Sequence, residues 1–449
     1  MAPHPRISRA PAMRTRRSRR PSRRRPSRWR SDRSISETVP ARRDSATELE
    51  ASGVRARGLV ALLTATSILS MLGSSSFSAL LPEFQALWHL NNTEAGWISG
   101  IFFAGYVLGV PVLVGITDRV DPRPVYLLSL VIAAVASLGY AFVADGFASA
   151  FIFRALAGLA LAGTYMPGLK LMTDRLGEHP RQGRYVAYYT AGFSLGTALS
   201  FPFTAEIAQW LGWRAAFAGA AIGAVLAIVL VLVWIRPAPP ARTAPETRHL
   251  LDFRPVFRNH AAMAFVWGYV GHTWELFALR SWLVAFLIHV QTLHGEASDL
   301  STASWITTAI VMLSPLSSIY GAEAASRSDR RRIIGRVMML SVLLSVLTGF
   351  SASLPFGAIM LIAGLYHLVV MADSAALTGG AVAMAKEGQR GATLAVHSIL
   401  GFSGGFVGPL AVGVVLDLAG GAASTLAWGL AFLTMGAGSA GALVAIRKL

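Results

Sequence analysis

Six ionisable side chains stand inside stretches that are otherwise apolar: Arg154, His272, Glu275, Arg280, His367 and Asp373. A carboxylate held out of water can take up a proton and give it back as charges approach or leave, which suits Glu275 and Asp373. Arginine stays charged and offers paired donors to a carboxylate or phosphate. An unpaired charge at bilayer depth costs about 2.5–3.5 kcal/mol even on the lenient insertion scale, so such groups face one another or a cavity. Three of the six share the stretch Gly268–Phe286. On a helix Glu275 lies about 60° to one side of His272 and Arg280 about 80° to the other, an arc of roughly 140°. Other polar groups join them on helical faces. Tyr165 lies within about 20° of Arg154, Tyr366 is on the face of Asp373, and Ser67, Ser70, Ser74 and Ser78 form a stripe. The spacing therefore predicts a polar path through Arg154, Tyr165, His272, Glu275, Arg280, Tyr366, His367, Asp373, Ser70 and Ser74. His397 reads as a packed neutral imidazole, and Glu206, Glu323 and Asp417, near the ends of apolar runs, read as interfacial.

Other chemistries lack their residues. The chain has no cysteine, hence no thiol nucleophile, disulfide or Cys-based metal site. No glycine loop with a phosphate-binding lysine is present, and GFSGG at 401–405 lies inside an apolar run. No nucleophile constellation or metal-ligand cluster is found, so neither an enzyme nor a bound cofactor or metal is expected.

The elements that must position these groups are membrane helices. The chain has 449 residues, 54% of them apolar and only 14% charged, and its mean hydropathy is +0.53. Apolar runs lie near 59–82, 94–114, 125–144, 147–168, 184–209, 213–235, 262–290, 302–322, 333–354, 356–384, 393–416 and 424–445. Most are long enough to cross a hydrocarbon core of about 30 Å. The fold class expected is an all-α membrane protein with twelve transmembrane helices in two pseudo-symmetric six-helix halves. The halves run over 58–235 and 262–449, joined by a cytoplasmic loop at 236–261. Beyond the tail, loops on the side of the N-terminus hold 20 Lys and Arg, whereas those on the other side hold only Arg214. By the positive-inside rule both termini are cytoplasmic.

Residues 1–57 carry 17 of the 40 Lys and Arg and have almost no apolar content. They read as a disordered Arg/Ser/Pro-rich tail, because so little apolar surface cannot offset the entropy of ordering. Anionic lipid binding, nucleic-acid binding and a twin-arginine signal compete with a passive tail, and Met13 offers a later start. Nucleic acid is not expected, since no aromatic interleaving accompanies the charge.

Two six-helix halves with a polar central loop resemble the major facilitator superfamily, and local motifs agree. That family's loop between spans two and three reads G-x-x-x-D-R-x-G-R-R; here it is Gly115-Ile-Thr-Asp118-Arg119-Val-Asp121-Pro122-Arg123. Asp118, Arg119 and Arg123 match, the leading glycine is one place out of register, and Asp121-Pro122 replaces Gly-Arg. The loop between spans eight and nine repeats the pattern around Glu323, Arg327 and Arg330, with Ser326 where the family has its acid. The resemblance implies a charge relay in these gating loops. Span four has Arg154-Ala-Leu-Ala-Gly158, similar to the family's R-x-x-Q-G without its Gln. Span eleven has Gly404-x-x-x-Gly408-Pro409, and span five has Gly192-x-x-x-Gly196 followed by Thr197 where drug antiporters have proline. The resemblance also implies that spans 1, 4, 7 and 10 line a central cavity, and all six deep ionisable residues but none from span 1 lie on those spans.

The expectation is a secondary transporter of a small polar solute in a bacterial inner membrane. It would work by alternating access, proton-coupled through Glu275 or Asp373, with Arg154 as counter-charge or anion anchor. Its partners would be the solute, protons and the bilayer, and a monomer is expected. An uncoupled facilitator or drug-type efflux protein is one rival. A transporter-shaped sensor or scaffold using its tail is the other.

Overall fold

The computed structural model describes residues 43–177, 179–239 and 253–447, with side chains from residue 54 onward. Residues Ser52–Leu449 pack as one unit, and the described part of the other, Met1–Ala51, is helical. Every described residue belongs to a helix or a short connection, with no strand among them.

The first six expected spans fold as α1 (Arg43–Met71), α2 (Ser76–Ala79), α3 (Leu81–Trp88), α4 (Asn92–Ile116), α5 (Pro122–Val143), α6 (Phe147–Leu176), α7 (Gln182–Leu211) and α8 (Trp213–Trp234). A short α9 (Arg254–Phe257) follows the central loop. The second six fold as α10 (His260–Leu293), α11 (Leu300–Met312), α12 (Ser314–Arg327), α13 (Arg330–Gly349), α14 (Phe356–Ala372), α15 (Ser374–Met384), α16 (Arg390–Leu418) and α17 (Thr425–Arg447).

All twelve expected segments are helical, and eleven are long and apolar enough to cross a membrane. The exception is α7, whose run of Tyr, Thr, Ser and Gly lowers its hydropathy although it is 30 residues long. Three spans are not single rods. Span one ends at Met71 and re-forms as α2 and α3, so the serine stripe does not run along one helix. Span eight bends at Leu313, just before Pro315, which can make no backbone donor bond. Span ten is interrupted at Asp373.

The described part of the expected tail, from Arg43 to Arg57, is helical and continuous with span one. The expected disorder of residues 1–42 lies outside the described residues, as does the core of the central loop at 240–252.

Helix starts follow local capping chemistry. Asn91 and Glu94 form a capping box on α4, and Asp121, Asn259, Asp299 and Asp329 accept backbone N–H groups at the starts of α5, α10, α11 and α13. Close packing follows the glycines. A Cβ at Gly404 would lie 2.2 Å from the Val270 carbonyl oxygen, and one at Gly408 2.4 Å from that of Trp274, so α16 can seat on α10 only without side chains there. Large apolar residues such as Leu108, Phe142, Leu361 and Trp234 cover the outside, as a hydrocarbon solvent requires.

Candidate functional site

Helix α10 brings Tyr269 and His272, three residues apart, to the junction of α14 and α15 and to α16. There His272 Nδ1 lies 2.7 Å from Asp373 Oδ1, with side chains 1% and 3% exposed. The two atoms touch as an ion pair does but are not aligned for a hydrogen bond. The Tyr269 ring stacks on His272 at 5.3 Å and on His397 at 4.0 Å, and His397 Nε2 lies 3.1 Å from Thr378 Oγ1. On the same helices α10 and α16 the halves meet ring on ring, Phe103 with Phe277 at 4.0 Å and Tyr106 with Phe402 at 4.3 Å.

Arg280, about two turns beyond His272 along α10, belongs to a neighbouring set. Its Nη2 donates to Ser314 Oγ at 3.2 Å, and that oxygen lies 2.8 Å from His367 Nε2. Met371 Sδ is 3.9 Å from the same guanidinium nitrogen. Arg280 Nε and His367 Nδ1 make no hydrogen bond, and no carboxylate pairs with Arg280 among the described residues.

Glu275 faces elsewhere, which corrects the expected grouping. Its Oε1 accepts Ser341 Oγ at 2.9 Å and Tyr366 Oη at 2.8 Å, and its Oε2 accepts Ser439 Oγ. The donors come from α13, α14 and α17, so the fully buried carboxylate is enclosed inside the second half. Tyr366 therefore serves Glu275, not Asp373. The 60° between His272 and Glu275 is enough to direct them at different neighbours, which a wheel drawn on one helix cannot show.

In the first half Arg154 is 3% exposed and donates from Nη1 to the Ser74 carbonyl at 3.0 Å, where α1 has ended. Its guanidinium carbon sits 4.5 Å from the centre of the Phe102 ring, a cation–π contact. Arg154 Nε, Ser74 Oγ and Tyr140 Oη lack hydrogen-bond partners. A crevice of about 30 Å³, lined in part by Ser70, Ser74, Phe102 and Thr164, has room for one or two waters. Tyr165 is not with Arg154; three turns away, it packs on Phe193 at 4.3 Å. Ser70 donates back to the Ser67 carbonyl at 2.8 Å.

The gating loops differ from their motif. The Asp118 and Arg119 side chains are exposed and make no hydrogen bond among the described residues. Asp121, which departs from the family pattern, holds this corner together. It caps α5, accepts Arg175 Nη2 at 2.8 and 2.9 Å, and accepts the Ala238 backbone N–H at 2.9 Å. Arg123 Nε and Arg330 Nε have no partner, and Arg327 pairs with Glu323 at 2.7 Å in an exposed contact that adds little stability. Asp329 caps α13 as Asp121 caps α5. Sequence reasoning passed over Tyr269, Ser314 and Asp121. The first carried a signal in its place one turn before His272, and the last in being an aspartate directly before a helix-starting proline.

The family model described as Major Facilitator Superfamily matches residues 63–295. The niacin transporter NiaP of Acinetobacter baylyi is 28% identical over 144 residues, 32% of this chain and 32% of that one. A chloramphenicol resistance protein of Streptomyces lividans is 28% identical over 275 residues, 60% of this chain and 66% of that one. The match thus spans less than two thirds of either relative. A solved bacterial homolog of the human lysosomal transporter Spinster, inward-facing and unoccupied, superposes with a TM-score of 0.69 at 15% identity, over 88% of this chain and 96% of that one.

Proposed function

Because the chain belongs to the Major Facilitator Superfamily, we propose that it carries a small polar solute across the bilayer by alternating access, coupled to protons through Asp373 and His272. The observation that carries the coupling is the buried 2.7 Å contact between these two groups at the interruption of span ten. Gain or loss of a proton there changes the charge on the pair, and that change biases how α14 and α15 sit against α10. We assign Glu275 a structural role instead, supported by the three hydroxyl donors from three other helices that hold it.

The solute is proposed to bear an anionic group. Arg154 and Arg280 are both without a carboxylate partner among the described residues, and a guanidinium favours a carboxylate by geometry. The niacin transporter among the relatives makes niacin, which carries a carboxylate, the first probe, and the chloramphenicol resistance protein makes neutral chloramphenicol the contrasting one. The basic loops and both termini are assigned to the cytoplasmic side of a bacterial inner membrane, as their charge supports.

The test is solute flux in proteoliposomes under an imposed pH gradient, with labelled niacin and chloramphenicol as probes. Flux should follow the gradient, and Asp373→Asn should abolish that response while exchange persists. Flux in the parent protein that ignores the gradient would leave an uncoupled facilitator as the reading.

A further inference from the structure

On the face away from the arginine-rich loops, two acids reach across from one half to the other. Asp417, at the end of α16, accepts four hydrogen bonds at the start of α4. Its Oδ1 takes the Asn92 backbone N–H at 3.0 Å and Asn92 Nδ2 at 2.8 Å. Its Oδ2 takes the Thr93 backbone N–H at 2.7 Å and Thr93 Oγ1 at 2.6 Å. Glu206, near the end of α7, does the converse. Its Oε1 accepts Ser301 Oγ and, at 3.0 Å, Trp305 Nε1, both in the first two turns of α11. Each half thus lends one carboxylate to the beginning of a helix in the other.

The bonds are of the strong kind. A carboxylate that accepts backbone N–H groups at a helix start meets both unsatisfied donors and the positive end of the helix dipole. The backbones are also in contact there, since a Cβ at Gly413 would lie 2.1 Å from the Asn92 carbonyl oxygen. Below them, Thr308 on α11 donates to the Ala198 carbonyl on α7 at 3.0 Å. By contrast, the ion pairs seen on the basic face, Arg175 with Asp121 and Arg327 with Glu323, each stay within one half.

We infer that Asp417 and Glu206 are paired latches that hold this face closed and set how often it opens. They are positioning residues, since the bonds of neither involve the His272–Asp373 pair or the two deep arginines. The inference rests on the alternating-access reading, in which this seal must part once in each cycle. Because Asp417 clasps the helix that its own half must leave, parting the halves breaks all four of its bonds together.

The chain has no cysteine, so one introduced cysteine is the sole target of a maleimide. Ser304, fully buried on α11 one turn before Thr308, is the site for a Ser304→Cys reporter. The full-length protein in proteoliposomes is exposed to a membrane-impermeant maleimide, with complete labelling in SDS as reference. The parent should label slowly. Asp417→Asn with Glu206→Gln should raise the rate about tenfold, the factor expected for losing roughly one strong charge-assisted bond's worth of closure. Thr93→Val with Ser301→Ala removes donors while keeping both acids, and should accelerate labelling in the same direction. It serves as the check if the acid variant does not fold. Slow parent labelling that neither pair of substitutions changes would overturn the latches and leave alternating access standing. A reporter that never labels in parent or variants would overturn the opening of this face itself.

Discussion

Replacing Glu275 separates its structural role from a proton-carrying one. In the Glu275→Gln variant the amide oxygen can keep the bonds from Ser341 and Tyr366, and Ser439 can turn to accept from the new NH₂ group. Hydrogen bonds between membrane helices average about 0.6 kcal/mol each, so the expected loss is below about 1 kcal/mol. Glu275→Leu is a different perturbation. It leaves three hydroxyls unpaired where water cannot replace the carboxylate, because Ser341, Tyr366 and Ser439 are each no more than 2% exposed. An unmet buried polar group costs about 1–3 kcal/mol, which for three gives about 3–9, whereas the membrane average alone gives about 2. A loss of about 3–5 kcal/mol is therefore expected. The assay is thermal unfolding of purified protein in detergent, followed by the loss of the monodisperse peak on size-exclusion chromatography. Glu275→Gln should also keep the pH-gradient response that Asp373→Asn loses. A Leu variant as stable as the parent would refute the enclosed-carboxylate argument, and a Gln variant that keeps its stability but loses coupling would return Glu275 to the proton path.

Asp121→Ala should destabilise the protein by about 2 kcal/mol, combining a lost helix cap with lost bonds from Arg175 and the Ala238 N–H, read in the same unfolding assay. Gly408→Ala should cost about 1–3 kcal/mol, because its methyl would stand 2.4 Å from the Trp274 carbonyl oxygen and force α16 off α10; an unshifted melting temperature would contradict this packing. Asp299, in the connection before α11, has its carboxyl held below its ordinary value, first by the Thr302 hydroxyl and then by the Thr302 N–H. Its folded-state value is depressed, so its contribution is present above about pH 3.9, the ordinary Asp value, and is lost as pH falls through the lower folded value. Asp299→Ala should therefore destabilise by about 1 kcal/mol at pH 7 and by progressively less in acid, measured as melting temperature against pH.

The helices and their number were legible because hydrocarbon imposes a local test. A run of about twenty apolar residues must span, and its backbone must satisfy itself as a helix. The same test marked Arg154, His272, Glu275, Arg280, His367 and Asp373 as anomalies, since each is conspicuous against its own neighbours in sequence. Even the capping residues could be read locally, Asp121 before Pro122 being the plainest.

What those charges do was not local. His272 and Glu275 lie within one turn of α10, yet one meets Asp373 at the α14–α15 junction and the other meets hydroxyls on α13, α14 and α17. Helical periodicity tells which residues share a face and is silent on which helix covers it. The breaks in spans one and ten likewise moved Ser74 and Asp373 off the regular faces assigned to them. Asp417 and Glu206 looked like ordinary acids at helix ends, because the donors they bind lie 325 and 95 residues away along the chain. The amino-acid sequence by itself determined a membrane-spanning helical protein and the small set of groups able to carry charge within it. Only the packing of the two halves decided which of those groups pair, because a buried charge is answered by whatever the tertiary fold brings within about 3 Å.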